Sequence, residues 1–261
     1  MPFLPLGLLD GFLSPPPLAE RIAFLGKQPY AHRGLHGPGV PENSRAAFLA
    51  AIHNGLGIEL DVQPAVGREA FVFHDAVLDR LTGETGPLSK RIATDLDQVT
   101  LKGSTETIPR LSEILALVDG RVPILIEVKS ESPTVNGICL GIRRVLEGYR
   151  GPIAIMSFNP EISRWFHRHA RRYVCGLVVT EGGAQGWRQR LKGRFTRHLS
   201  LWRAKPDFLA YDIRDLPSSF ATGQRARGLT VLTWTVRTAA QEAVAMQCAD
   251  EIIFERTREA G

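Results

Sequence analysis

From residue 29 onward the chain alternates short runs rich in β-branched and apolar residues with longer stretches whose apolar positions recur every three or four residues. The short runs are 29–33, 57–63, 122–129, 152–158, 173–180, 207–213, 230–236 and 251–255, and a further short strand is predicted at 70–74. The spacing predicts helices over 43–54, 111–118, 134–147, 160–170, 186–203, 217–227 and 239–247. The first of these opens on an Asn or Ser cap and stops at Gly55. Strands that are apolar on both faces belong in a parallel sheet covered by helices. Eight strand–helix units in 261 residues predict an α/β chain folded as a (β/α)8 TIM barrel rather than a doubly wound sheet. Residues 76–108 are a turn-rich insertion after the second strand, and only six residues follow Glu255, so the eighth outer helix is expected to be short or missing. With no Ser/Gly-rich linker, 1–261 is expected to be a single domain with 76–108 a small insertion inside it.

Two further stretches carry helical periodicity. In 18–25, LAERIAFL, the residues Leu18, Ile22 and Leu25 share one face, which is expected to pack against the barrel. In 186–203, Trp187, Leu191, Phe195, Leu199 and Trp202 fall at steps of four, four, four and three, among six basic residues and no acid. The expected structure is the fifth outer helix, its apolar stripe packed inward and its basic face solvated. The same basic face suits weak contact with an anionic membrane surface.

Composition adds bounds. At 44% hydrophobic and 23% charged the chain is ordinary globular material, which excludes collagen-like and disordered classes. Lys+Arg of 32 against Asp+Glu of 27 leaves +5, suited to an anionic small ligand or a membrane surface, and no nucleic-acid partner is expected. The apolar start lacks a basic residue before Arg21 and is broken by Pro2, Pro5 and Asp10, so no secretory signal is expected. Cys139, Cys175 and Cys248 are far apart and form no C-x-x-C, which points to a reducing, cytoplasmic setting.

The chemistry is concentrated at strand ends. In GIELDVQP, Glu59 and Asp61 share one face of a strand while Ile58, Leu60 and Val62 share the other. In VPILIEVKS, Leu125, Glu127 and Lys129 face together, opposite Ile124, Ile126 and Val128. A barrel strand turns such charges only inward or toward its mouth, where they must pair or bind a cation. Three carboxylates suit a hard divalent metal, Mg²⁺ or Ca²⁺; an internal ion-pair network around Lys129 is the alternative. His32 and Arg33 end the first strand and His74 ends the extra one, where a barrel keeps its active site. Two histidines there suggest a general base and a general acid. Arg33 offers a fork for phosphate or carboxylate, or else an ion pair to a strand-end acid.

The ordered set AHRG, PENS, IELDV, VFHD, IP-x-L-x-E, IEVK and TWTV, spread over about residues 30–255, resembles the glycerophosphodiester phosphodiesterases, and most closely their bacterial cytosolic members. The resemblance implies metal-dependent hydrolysis of a small-molecule phosphodiester to sn-glycerol 3-phosphate and an alcohol. It makes His32 and His74 the catalytic pair, Glu59, Asp61 and Glu127 the metal ligands, and Arg33 and Lys129 the phosphate contacts. Asn43 becomes a supporting residue and Trp234 the aromatic wall beside the glycerol. Val66-Gly67-Arg68 replaces an Asp-Gly turn, and Phe254-Glu255-Arg256 replaces an Asp-Pro ending, a change expected to bear on closure of the C-terminus and not on chemistry. Three alternatives stay open: a lysophospholipase D-type reaction on lipids, a metal-dependent barrel isomerase or lyase, and a non-catalytic binder of phosphate esters. Whether water or the substrate's glycerol 2-hydroxyl attacks, and which histidine is the base, also stay open.

Overall fold

The computed structural model describes residues 6–182 and 187–256, with the backbone alone at 187, 188 and 190. Nine strands are found among them: β1 Tyr30–His32, β2 Gly57–Pro64, β3 Ala70–Val72, β4 Ile124–Val128, β5 Ile153–Ser157, β6 Val174–Val179, β7 Phe208–Asp212, β8 Thr230–Val236 and β9 Glu251–Phe254. β1 pairs in parallel with both β2 and β9, and the remaining parallel neighbours run β2, β4, β5, β6, β7, β8, β9, which closes an eight-stranded barrel. β3 is an antiparallel flap on β2, with Val62 opposite Val72.

The helices are α1 Leu6–Leu13, α2 Ala19–Ile22, α3 Arg45–His53, α4 Ala93–Leu96, α5 Leu111–Val118, α6 Asn136–Leu146, α7 Pro160–His169, α8 Trp187–Ala204, α9 Ser219–Ala226 and α10 Ala239–Cys248. Capping sets several starts. The Ser44 hydroxyl accepts from the Ala47 N–H, and the Ser218 hydroxyl accepts from the N–H groups of Phe220 and Ala221. No helix follows β9 among the described residues; residues 257–261 lie outside them.

Period two sorts the core. Ile58, Leu60, Val62, Ile124, Ile126 and Val128 face outward into a layer shared with α3, α5 and α6. Leu125, Ala154, Met156, Phe208, Ala210, Leu232 and Ile253 fill the barrel interior. The floor of that interior is closed by α2 and the residues just after it, where Ile22 and Leu25 are buried and Arg21 donates to the Tyr173 carbonyl below β6. Leu18 does not join them: it is 80% exposed, because the helix begins one residue later and rotates it into solvent. Leu78, Leu88, Leu96 and Leu101 of residues 76–108, which include α4, pack on Phe71 and Phe73 of the β3 segment.

α8 departs from expectation. The sequence places the Leu191–Phe195–Leu199 stripe inward, but these side chains are 59%, 49% and 45% exposed. The inward face carries His198, Leu201 and Ala204 instead. At the His198 end α1 docks on α8 and α9 by burying Asp10: its carboxylate accepts from Trp202 Nε1 at 2.7 Å and Gln224 Nε2 at 2.6 Å, and its Oδ1 lies 2.8 Å from His198 Nδ1. Trp187, Arg188 and Arg190 belong to the same predicted stretch, but their side chains lie outside the described residues, as does Gly186.

Candidate active site

The site stands on the register of three neighbouring strands. His32 pairs with Glu59, Glu59 with Leu125, and Asp61 with Glu127. Alternation then turns Glu59, Asp61 and Glu127 into the interior above the apolar plug, where all three are buried. One oxygen from each lies within 4.8 Å of the others.

Buried like charges this close need compensation. Lys129 Nζ stands 2.9 Å from Asp61 Oδ1 and 2.5 Å from Glu127 Oε1. Arg33 is divided, with Nε 3.3 Å from Asp61 Oδ2 and Nη1 donating to Glu42 Oε1 at 2.7 Å. Glu59 receives only the Arg33 backbone N–H at 3.1 Å, with His32 Nε2 at 4.0 Å. Burial, together with the charges of Asp61 and Glu127, pushes the Glu59 carboxyl well above its ordinary range. Burial would raise Asp61 too, but Lys129 and Arg33 hold it well below its ordinary value. The ion-pair network and the carboxylate cluster are therefore both present, and the network leaves one carboxylate without a close cation. A hard divalent cation, which takes oxygen ligands, fits that donor set.

The loop after β1 is shaped for this arrangement. Arg33 and Asn43 both adopt left-handed backbone, at φ 56°, which is costly for residues with side chains and recurs at functional sites. Gly34, at φ 78°, lies where a Cβ would meet Ala47 Cβ at 2.8 Å, so only glycine lets the loop cross α3. Asn43 donates its side-chain N–H to Asp61 Oδ2 at 2.9 Å. Glu42 clamps Arg33 and also accepts from Arg80 at 2.8 and 3.0 Å.

Both imidazoles are backed by a carboxylate at Nδ1. His74 Nδ1 lies 2.7 Å from Asp75 Oδ1, and His32 Nδ1 lies 3.4 Å from Glu255 Oε2. Burial lowers the pKa of each histidine, against the opposing pull of the nearby acids. Gln63 fixes the end of the flap by donating to the His74 carbonyl at 2.8 Å. The cleft beside them, of about 630 Å³, is lined by Gln63, His74, Glu127, Lys129, Glu131 and Phe158 among others. Trp234 meets the edge of the Phe158 ring, with centroids 5.6 Å apart, and donates to the Ala210 carbonyl at 2.9 Å. The aromatic that lines this cleft is Phe158, with Trp234 beside it.

Sequence patterning therefore names the three carboxylates, His32, His74, Arg33 and Lys129, the family resemblance adds Trp234, and the fold brings them to one end of the barrel. It misses Asp75, Phe158, Arg80 and Glu255. Asp75 is adjacent to His74 and was within reach of the sequence. Glu255 is assigned there to closure of the C-terminus. In the structure it faces His32 and also lies 3.7 Å from His36 Nε2, so it borders the chemistry.

A family model described as the glycerophosphoryl diester phosphodiesterase family matches residues 32–253. The chain belongs to this family. Among its relatives, a glycerophosphodiester phosphodiesterase of Caldanaerobacter subterraneus is 28% identical over 79% of this chain and 84% of its own. One from Bacillus altitudinis is 32% identical over 53% of this chain and 61% of its own. A solved phosphodiesterase of Oleispira antarctica, in complex with the product sn-glycerol-3-phosphate, superposes with a TM-score of 0.74 at 22% identity, covering 87% of this chain and 92% of that one. The glycerophosphodiester phosphodiesterase of Thermotoga maritima gives 0.69 at 20% identity, over 87% and 94%. Both share the barrel.

Proposed function

We propose that Glu59, Asp61 and Glu127 hold a divalent cation, Mg²⁺ or Ca²⁺, and that His32 and His74 carry out acid–base cleavage of a glycerophosphodiester beside it. Family membership makes the chain an enzyme of glycerophosphodiester hydrolysis; the residue roles are our reading. The observation that carries them is the pairing of three clustered buried carboxylates with two imidazoles, each backed by an acid. A bound metal supplies charge neutralisation of the phosphoryl oxygens.

The protein's own groups do the rest. Arg33 and Lys129 neutralise charge developing on phosphate. The Asp75 carboxylate holds the His74 ring through Nδ1, and Glu255 lies 3.4 Å from His32 Nδ1, an arrangement that leaves Nε2 of each ring to exchange a proton. Burial lowers both pKa values, which favours the neutral ring that a general base needs. One ring, neutral, takes the proton of the attacking hydroxyl; the other starts protonated at Nε2 and gives that proton to the leaving alkoxide, and proton exchange with solvent restores both. Phe158 and Trp234 offer an apolar wall to the organic part of the substrate. The products are sn-glycerol 3-phosphate and an alcohol, which gives the chain a place in lipid and glycerol metabolism. Cys139, Cys175 and Cys248 are free thiols, which supports a reducing, cytoplasmic setting.

Turnover of glycerophosphocholine, measured with and without EDTA, tests this reading. Activity lost on chelation and restored by Mg²⁺ or Ca²⁺ supports it. Activity indifferent to chelation overturns the metal assignment, and no turnover with any glycerophosphodiester returns the site to phosphate-ester binding.

A further inference from the structure

α8 contains six basic residues and no acid between residues 186 and 203, and its apolar stripe is only half used. Residues four and seven apart stack along one helix face, so Leu191, Phe195, His198 and Trp202 form a single row. α1 covers the His198–Trp202 end of that row through Asp10. Among the described residues nothing covers the Leu191–Phe195 end, and Leu199 is exposed alongside it. α1 carries two further exposed apolar side chains, Leu8 at 67% and Phe12 at 85% exposure, one helical turn apart. Lys192 and Arg194 are exposed within the same stretch, whereas Arg197 turns inward to Glu181 at 3.0 Å. α8 starts just beyond the C-terminal end of β6, so the Leu191–Phe195 end lies toward the mouth that holds the carboxylates.

An exposed row of large apolar side chains edged by cations and lacking acids needs an occupant that is apolar at depth and anionic at its surface. A second copy of the same face brings like charges together. We propose that the mouth end of α8, with the outer face of α1, docks on an anionic phospholipid membrane. Leu191, Phe195, Leu8 and Phe12 enter the head-group boundary while Lys192 and Arg194 contact lipid phosphates. No helix of the described residues is long and apolar enough to cross a membrane, so the contact is peripheral. The proposal does not depend on the catalytic assignment, because it is read by binding.

The test is co-sedimentation of the full chain with phosphatidylcholine vesicles, with and without phosphatidylglycerol. The expected result is pelleting with the anionic vesicles at low salt, little with phosphatidylcholine alone, and release near ~1 M salt, where screening shortens to ~3 Å. Neutralising Lys192→Gln and Arg194→Gln lowers partitioning about fivefold each. The pair Leu191→Ser and Phe195→Ser lowers it at least about tenfold. Both sets leave the melting temperature and glycerophosphocholine turnover at the parent level, since these side chains are exposed and outside the site. The proposal is overturned by absence of pelleting at low salt, by equal pelleting with both vesicle types, or by binding that both variant sets leave unchanged. A dimer abolished by the serine pair, without vesicle binding, overturns it in favour of an interface between copies.

Discussion

At the scale of single residues, function rests on groups whose burial costs stability unless something compensates. Glu59 is the clearest case, since it is fully buried and, among the described residues, no lysine or arginine side-chain nitrogen lies within 4.0 Å of it. Glu59→Gln and Glu127→Gln keep the volume and remove the charge. Each is expected to leave less than about a tenth of parental turnover at saturating metal. In the absence of metal, Glu59→Gln is expected to unfold at or above the parental temperature, whereas Glu127→Gln, which loses its pair with Lys129, is expected to unfold below it. Turnover and thermal denaturation check this together, and greater activity removes that residue from the ligand set. Glu255 is expected to act through His32, 3.4 Å away. Its carboxylate, held down at about 2 chiefly by His32 and also by Arg237, raises the imidazole pKa against burial. On the reading in which His32 is the base, its lowered pKa keeps it unprotonated to lower pH, so the acid limb of kcat/KM is expected below 6.5. Glu255→Gln removes a stabiliser of the imidazolium and moves that limb further toward acid, whereas Glu255→Asp restores it. A pH–rate profile of the variants checks the sign, and an unmoved limb separates Glu255 from the proton transfer.

At the scale of elements, α1 is tied down by one buried acid. Asp10 accepts from Trp202 and Gln224, sits 2.8 Å from His198, and lies 3.6 Å from Arg227. Asp10→Ala leaves these groups facing a void without an acceptor, at a cost of about 2–3 kcal/mol. For a chain of this length that lowers Tm by roughly 5–10 °C, measurable by calorimetry. An unchanged Tm means that α1 adds nothing to the fold. Deleting 1–26 goes further, since it also removes Ile22 and Leu25 from the barrel floor, and is expected to lower solubility as well as Tm. The periodicity of 18–25 marks the right segment, though Leu18 faces solvent. The same kind of pattern misassigns α8, because a helical stripe records which residues share a face and not which neighbour covers it.

At the scale of the whole molecule, closure of the barrel through β1–β2 and β1–β9 brings His32, from the first strand, against Glu59 from the second and Glu255 from just past the last. Clustered acids in a closed barrel also couple metal to stability. A cation at a hundred-fold excess over its Kd adds about 2.7 kcal/mol, so Mg²⁺ or Ca²⁺ is expected to raise Tm by several degrees and EDTA to reverse it; an unchanged Tm argues against binding at this cluster. Alternating apolar runs and amphipathic stretches determined the barrel by themselves, because period two and period 3.6 leave few ways to bury such faces. Glu59, Asp61 and Glu127 were equally legible, since a charge on the inward face of a barrel strand has few physical uses. Only tertiary structure decided that Glu255 faces His32, that Phe158 lines the cleft, and that α1 rather than the barrel covers part of the α8 stripe. Each of these is a contact between segments distant in the chain, and local periodicity carries no information about which distant surface arrives.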